Sequence, residues 1–362
     1  MQSKLLSALF SITFLLTISG GAFATHHEHD HATEESGLTI EEAAVESKKA
    51  EIKETITHHL LDEHSFTLVH GVSLPLPVIL WDNGLQVFSS SRLHHGESVA
   101  EVNGNYYMLY HSKIYKTDAQ GTIEYDEHHH PTNAQPLDLS ITKNVLTIFL
   151  MGLLMIFLFR GMARTYQKGP MPKGIGRFIE PIIIFIRDEI AIPNIGEKHY
   201  KRFMGYLLTV FFFVWFMNLA GMLPLGLNVT GNIAVTFTLA IITFLITQFS
   251  GKKDYWLHIF WMPGVPVFMK FLLAPIELLG IFIKPFALMI RLYANIKAGH
   301  VVLMSLIGVM FVFDMYAAKG AFFGLTFALS LLELLVAALQ AYIFTMLSAL
   351  YFGAAVEEHD HH

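Results

Sequence analysis

The chain has 362 residues, 53% hydrophobic and only 15% charged, with 30 Phe and no Cys. Soluble proteins carry about 25% charged residues, so this balance excludes an ordinary soluble domain and points to a membrane. The formal net charge of −6 is segregated along the chain, with Lys and Arg at the flanks of apolar segments, which argues against a nucleic-acid partner; without Cys there is no disulfide framework and no thiolate metal site.

The N-terminus reads as a secretory signal. Lys4 precedes an apolar run over residues 5–18, and Ala22-Phe23-Ala24 fits the small-x-small pattern of a cleavage site, so 1–24 is expected to be a signal peptide. An uncleaved first helix is the alternative, but about 14 residues is short for a span. Cleavage would leave the following segment outside the cytoplasm.

Residues 25–137 form a polar, extracytoplasmic N-terminal region holding 14 of the 20 His. Thr39 and Glu42 have capping-box spacing ahead of a charged helical stretch that reaches about Leu61. Farther on, β-prone runs such as 106–110 follow the turn signals Asn83-Gly84 and Asn103-Gly104-Asn105 without disclosing a fold. His26, His27, His29 and His31, and later His128, His129 and His130, read more simply as solvated, low-complexity tracts than as a weak Zn or Ni site.

From residue 138 to 356 the expected fold is an all-α polytopic membrane protein. About five helices are embedded, one more is interfacial, and the C-terminal part is a long tilted helical hairpin. The first span covers 141–159, and Arg160, Arg164, Lys168, Lys173 and Arg177 mark its cytoplasmic side. Residues 180–192 mix apolar side chains with Arg187, Asp188 and Glu189 and suit an interfacial helix. Lys198, Lys201 and Arg202 precede the span 203–223, an uncharged outer turn follows, and 232–249 returns inward to Lys252 and Lys253. Over 265–313 there is no long polar break, and as a single helix that run would extend about 70 Å, more than twice the hydrocarbon thickness. It either breaks, near Pro275 or Pro285, or lies steeply tilted and shielded by protein. A second long apolar stretch, 321–356, follows a turn at 314–319, and 357–362 form a cytoplasmic tail.

Arg291 stands in the middle of this apolar run. A guanidinium stays charged at any accessible pH, and placing it at the centre of a bilayer costs about 3 to 17 kcal/mol, depending on method. Its default meaning is therefore an ion pathway, since apolar residues on both sides argue against snorkelling to the headgroups. Glu277, Lys284 and Arg291 recur every seven residues, a drift of about 20° per step, and so share a helix face that Asn295 extends. His300 lies nine residues past Arg291, about 180° round the helix and roughly 13 Å along it. On the second long stretch Glu333 and Gln340 share a face. A membrane Glu and a membrane His on adjoining helices suit a buried, proton-relaying pair. Gln340 can equally serve as a bond to a neighbouring helix, and Glu277 with Lys284 as a structural ion pair near the cytoplasmic interface. Lys297 either snorkels or pairs with Glu333.

The run Lys284-Pro285 to Arg291-Leu292-Tyr293-Ala294-Asn295, then Ala298-Gly299-His300, resembles the signature of subunit a of F-type ATP synthases. Glu333, Leu339-Gln340-Ala341 and Phe344 are similar to that subunit's last helix, and Glu189-Ile190-Ala191-Ile192-Pro193-Asn194 and Asn218-Leu219-Ala220-Gly221-Met222-Leu223-Pro224 to its other motifs. The resemblance covers roughly 138–356 and leaves the His-rich region outside. It implies a proton-translocating stator in the F0 sector, in a bacterial inner membrane, with the N-terminal region periplasmic and the C-terminus cytoplasmic. No covalent chemistry and no cofactor belong to this chain. The implied partners are the ring of c subunits, the b subunits of the peripheral stalk, the remainder of the synthase and the lipid bilayer. Arg291 would be the essential stator arginine facing the ring, holding apart two offset half-channels, with Asn295, His300, Glu333 and Gln340 lining the one open to the outside. Some members carry Glu where His300 stands and His where Glu333 stands, so acid and imidazole are exchanged between the helices. Lys297 departs from the family's usual aromatic or small polar residue. Two other classes remain possible from the residues themselves: a secondary transporter, which commonly shows internal repeats that are not evident here, and a metal-handling protein, which would call for more ligands within the spans than His300.

Overall fold

The computed structural model describes residues 62–357 other than 70–71, 129, 168–173, 224–226, 262–265 and 313–314. The signal peptide, the first His-rich tract, the charged stretch up to Leu61 and the tail after Glu357 fall outside the described residues.

The region before the membrane part is built of short strands. β1 (Ser65–Val69) and β2 (Val72–Pro75) form a hairpin. β3 (Pro77–Trp81) pairs on one edge with β4 (Leu85–Ser89) and on the other with β8 (Leu137–Asp138), which returns from far along the chain. β5 (Ala100–Val102), β6 (Asn105–Tyr110) and β7 (Lys113–Thr117) make a separate antiparallel sheet. The turn signals act as expected: Asn103 and Gly104 both take positive φ, 51° and 79°, in the two-residue connection from β5 to β6, the geometry that suits the twist of a hairpin. Alternation places Val78, Leu80, Phe88, Val102, Tyr107 and Ile114 in one core. Tyr107 is fully buried and its hydroxyl donates to Asp82 at 3.0 Å. Burial and that carboxylate push the phenol up to about 12.

A polar strap ties these sheets to the first membrane helix, α1 (Lys143–Tyr166). Asp62 accepts from the Thr142 hydroxyl at 3.0 Å and from the Asn144 amide at 3.2 Å, while the Lys143 amide donates to the Glu63 carbonyl at 2.9 Å. Thr142 caps the helix by accepting from the Val145 amide. A carboxylate here also meets the positive end of the helix dipole. His64 Nε2 lies 2.8 Å from Asp138 Oδ2. Burial of Asp138 raises its pKa, but the bonds from His64 and Ser140 outweigh it and hold the carboxyl below its ordinary 3.8. A depressed carboxyl contributes stability that is present above the ordinary value and lost as pH falls through the lowered one. Asp138→Asn should therefore speed limited proteolysis of the β-sheet region near neutral pH, by a margin that shrinks as pH falls through the lowered value of the wild-type carboxyl. A margin that stays the same from neutral to strongly acid pH would reject the pair as a stabilising contact.

Five described helices are long and apolar enough to cross a membrane. After α1 come α2 (Gly176–Phe185), α3 (Tyr200–Gly221), α4 (Ile233–Ser250), a short α5 (Lys253–Phe260), α6 (Val267–Val312) and α7 (Tyr316–Val356). The expected interfacial helix is longer than its charged part. α2 runs into a π-helical stretch, Ile186–Ala191, and an α-helical turn, Ile192–Ile195. Ile186, Ile190 and Ala191 are buried while Arg187, Asp188 and Glu189 stay exposed, an amphipathic division that suits a surface helix. α6 is a single helix of 46 residues that passes through Pro275 and Pro285. Of the two expectations for this run, the break is thus set aside. A helix of about 69 Å fits a hydrocarbon layer of about 30 Å only when steeply tilted.

The core of the membrane part joins α3 to the C-terminal half of α7. Phe203 stacks on Phe352 at 4.7 Å between centroids, and Leu207, Val210, Phe212 and Val214 are buried in the same cluster as Ala341, Phe344 and Ala349. Gly353 lets α7 press its backbone on the Asn194 carbonyl, where any Cβ would collide. Leu288 and Leu292 of α6 join this core, which fixes the level of Arg291 against α7.

Candidate functional site

α6 presents two faces of different character. Arg291 and Asn295 are exposed, and so are Ala287, Ala294 and Ala298, which helical spacing puts around the guanidinium. Small side chains there allow another helix to approach closely. His300 is buried. The two ionisable groups therefore meet different surroundings, as their nine-residue separation predicts.

α7 meets the buried side. Glu333 is half-buried, and a Cβ added at Gly299 would come within 3.2 Å of its Oε1. The missing side chain at 299 is what admits this carboxylate beside the turn of α6 that carries His300. Gln340 is buried two turns farther along α7. Lys297 does not join this group: its Nζ donates to the Tyr293 hydroxyl at 2.8 Å and sits 5.2 Å from that ring's centroid, an i,i+4 contact on α6 itself. Of the two readings of Lys297, pairing with Glu333 is thereby set aside.

Glu277 and Lys284 are likewise not an ion pair. Ion pairs among the described residues include His64–Asp138, Lys116–Asp82, His130–Asp126 and Arg187–Asp188. Seven residues set Glu277 and Lys284 about 10.5 Å apart along the axis, whereas side chains meet at spacings of three or four. Lys284 instead lines a cavity of about 20 Å³ with Thr243, Thr247, Gln248, Tyr255 and Tyr351. That is room for one water. The cavity lies toward the basic end of α4, where the Lys252 amide bonds the Ala355 carbonyl at 3.0 Å.

Asn218 of α3 is a residue to which the sequence assigned no role. It is buried, its Nδ2 donates to the Ala337 carbonyl at 3.3 Å, and its Oδ1 has no partner among the described residues. Ala337 lies about one turn from both Glu333 and Gln340, so Asn218 adds a third helix to this polar group. Its motif was visible in the sequence, but its aim toward α7 was not.

These features define a polytopic helical membrane protein that keeps ionisable side chains inside its spans. The family model of the ATP synthase A chain matches residues 145–353, and that of a domain of unknown function (DUF8433) matches 55–139. The chain is 42% identical over 230 residues to ATP synthase subunit a of Chloroherpeton thalassium, covering 62% of this chain and 69% of that one. It is 43% identical over 232 residues to ATP synthase subunit a of Myxococcus xanthus, with 62% and 76% covered. With ATP synthase subunit a 2 of Prosthecochloris aestuarii it shares 38% identity over 309 residues, 80% of this chain and 93% of the relative. The chain belongs to the ATP synthase A chain family, subunit a of bacterial F-type ATP synthases. It is a multi-pass, non-catalytic membrane subunit of the F0 sector, with a general role in proton translocation as part of the stator.

Proposed function

We propose that this subunit forms two offset half-channels against a ring of c subunits and couples proton flow between them to rotation and ATP synthesis. The observation that carries the reading is the division of α6: Arg291 exposed among alanines on one face, His300 buried on the other, with the Glu333 carboxylate set against the neighbouring Gly299. An exposed, permanently charged group in a membrane helix needs a counter-charge, and a ring carboxylate approaching over Ala287, Ala294 and Ala298 supplies it. Asn295, His300, Glu333, Gln340 and Asn218 serve the outer half-channel. The cavity beside Lys284, near Glu277, serves the side toward the cytoplasm. In this reading residues 25–137 are periplasmic, 138–356 form the stator domain, the C-terminus is cytoplasmic, and b subunits of the peripheral stalk hold the domain in place.

The chain has no Cys, so an introduced thiol is a unique reporter in it. Ala294→Cys should crosslink to the carboxyl-bearing helix of a small two-helix subunit that purifies with this chain. Failure to crosslink in an assembled complex would reject Arg291 as the group facing a ring.

A further inference from the structure

A buried polar atom left without a hydrogen-bond partner loses its hydration and gains nothing in return, so native proteins hold few of them. Among the described residues such atoms include His64 Nδ1, Asn144 Oδ1, Thr230 Oγ1, Asn218 Oδ1 and Glu333 Oε2. Thr117 Oγ1 belongs to β7; the other five belong to the segment just before β1, the first turn of α1, the loop before α4, the end of α3 and the middle of α7.

The links between them are on hand at each step. His64 borders a cavity of about 340 Å³ lined also by Glu63, His94, His111 and several serines. Its Nε2 is taken by Asp138, which leaves the Nδ1 edge. Asp62 and Glu63, just before it, bind the first turn of α1, where Asn144 is buried. Phe66 and Leu76 cluster with Ala220 and Leu227, and Leu146 packs on them. That apolar wall sets the start of α1 against the end of α3 and the outer loop that holds Thr230, which is 1% exposed. Asn218 lies two residues before Ala220, and its amide reaches Ala337, one turn from Glu333.

Water suits such a series, because one molecule donates and accepts at once and bridges groups that do not bond directly. We propose that a hydrated path begins in the cavity beside His64 and runs past Asn144 and Thr230 to Asn218 and Glu333, so that the β-sheet region holds the outer vestibule of the proton path. The proposal rests on the half-channel reading and deepens it. It gives His64, Asn144 and Thr230 a positioning role for water, and it explains why the amide oxygens of Asn144 and Asn218 are buried without a partner among the described residues.

Single-Cys variants of the assembled complex, in membranes with the outer face accessible, test it. Asn144→Cys and Thr230→Cys should react with a small water-soluble thiosulfonate far faster than Leu207→Cys, which lies in the apolar core, and the reaction should lower proton flow several-fold. Thr230→Val, which keeps the shape and removes the hydroxyl, should lower proton flow several-fold in a complex assembled at normal yield. Thr230→Val with unchanged flow would overturn the path. If 144 and 230 are as inert as 207 while Glu333→Cys reacts, the path opens elsewhere: the vestibule falls and the half-channel reading stands. If Glu333→Cys is inert as well, both fall.

Discussion

Arg291→Ala should abolish ATP synthesis driven by an imposed proton gradient in membrane vesicles. The guanidinium cannot discharge itself by losing a proton, so in the proposed half-channel arrangement it would offer each arriving carboxylate a fixed counter-charge. Loss of one partner from a desolvated charge pair typically costs about 3–5 kcal/mol, which is two orders of magnitude or more in rate. Arg291→Lys should restore little, because an ammonium is a compact, strongly hydrated point charge and loses its proton readily when desolvated. Near-normal synthesis in Arg291→Ala would remove this residue from the centre of the account.

The second large effect concerns His300 and Glu333. His300→Glu replaces the imidazole of the proposed pair and leaves two acids and no base between α6 and α7. Glu333→His leaves two imidazoles and removes the carboxylate proposed to exchange protons with His300. Each single change is expected to lower proton-driven synthesis on the order of tenfold or more, because a proton relay then lacks either its imidazole or its carboxylate. The double exchange, His300→Glu with Glu333→His, restores one acid and one imidazole and should retain more activity than either single variant. A double variant no better than the worse single one would reject the pair.

Much of the membrane part was legible in the sequence, because a lipid environment leaves a strong signal in apolar length and flanking charge. The boundaries shifted where polar residues continue a helix beyond its apolar run. α1 extends through Arg160 and Arg164 to Tyr166, and α7 starts at Tyr316, before Lys319. Pro275 and Pro285 suggested a break that α6 does not take.

The β-sheet region was not legible in the same way. Its strands are two to six residues long, and β3 meets β8 through Leu80 and Asp138, far apart in the chain. No local period reports such a contact. At the candidate site, spacing separated Arg291 from His300 correctly. It did not reveal that Gly299 makes room for Glu333, because that depends on how two helices pack. Lys297 was readable in principle: Tyr293 lies four residues earlier, the spacing at which side chains meet.

The barrier role of Arg291 is tested most directly by proton flow when the ring cannot turn. With this subunit crosslinked to the ring in membranes stripped of the catalytic sector, wild-type complexes should pass no protons down an imposed gradient, read by a pH-sensitive dye. Arg291→Ala in the same crosslinked state should leak, because protons then cross between the half-channels without rotation. A crosslinked Arg291→Ala complex as tight as the wild type would contradict the account.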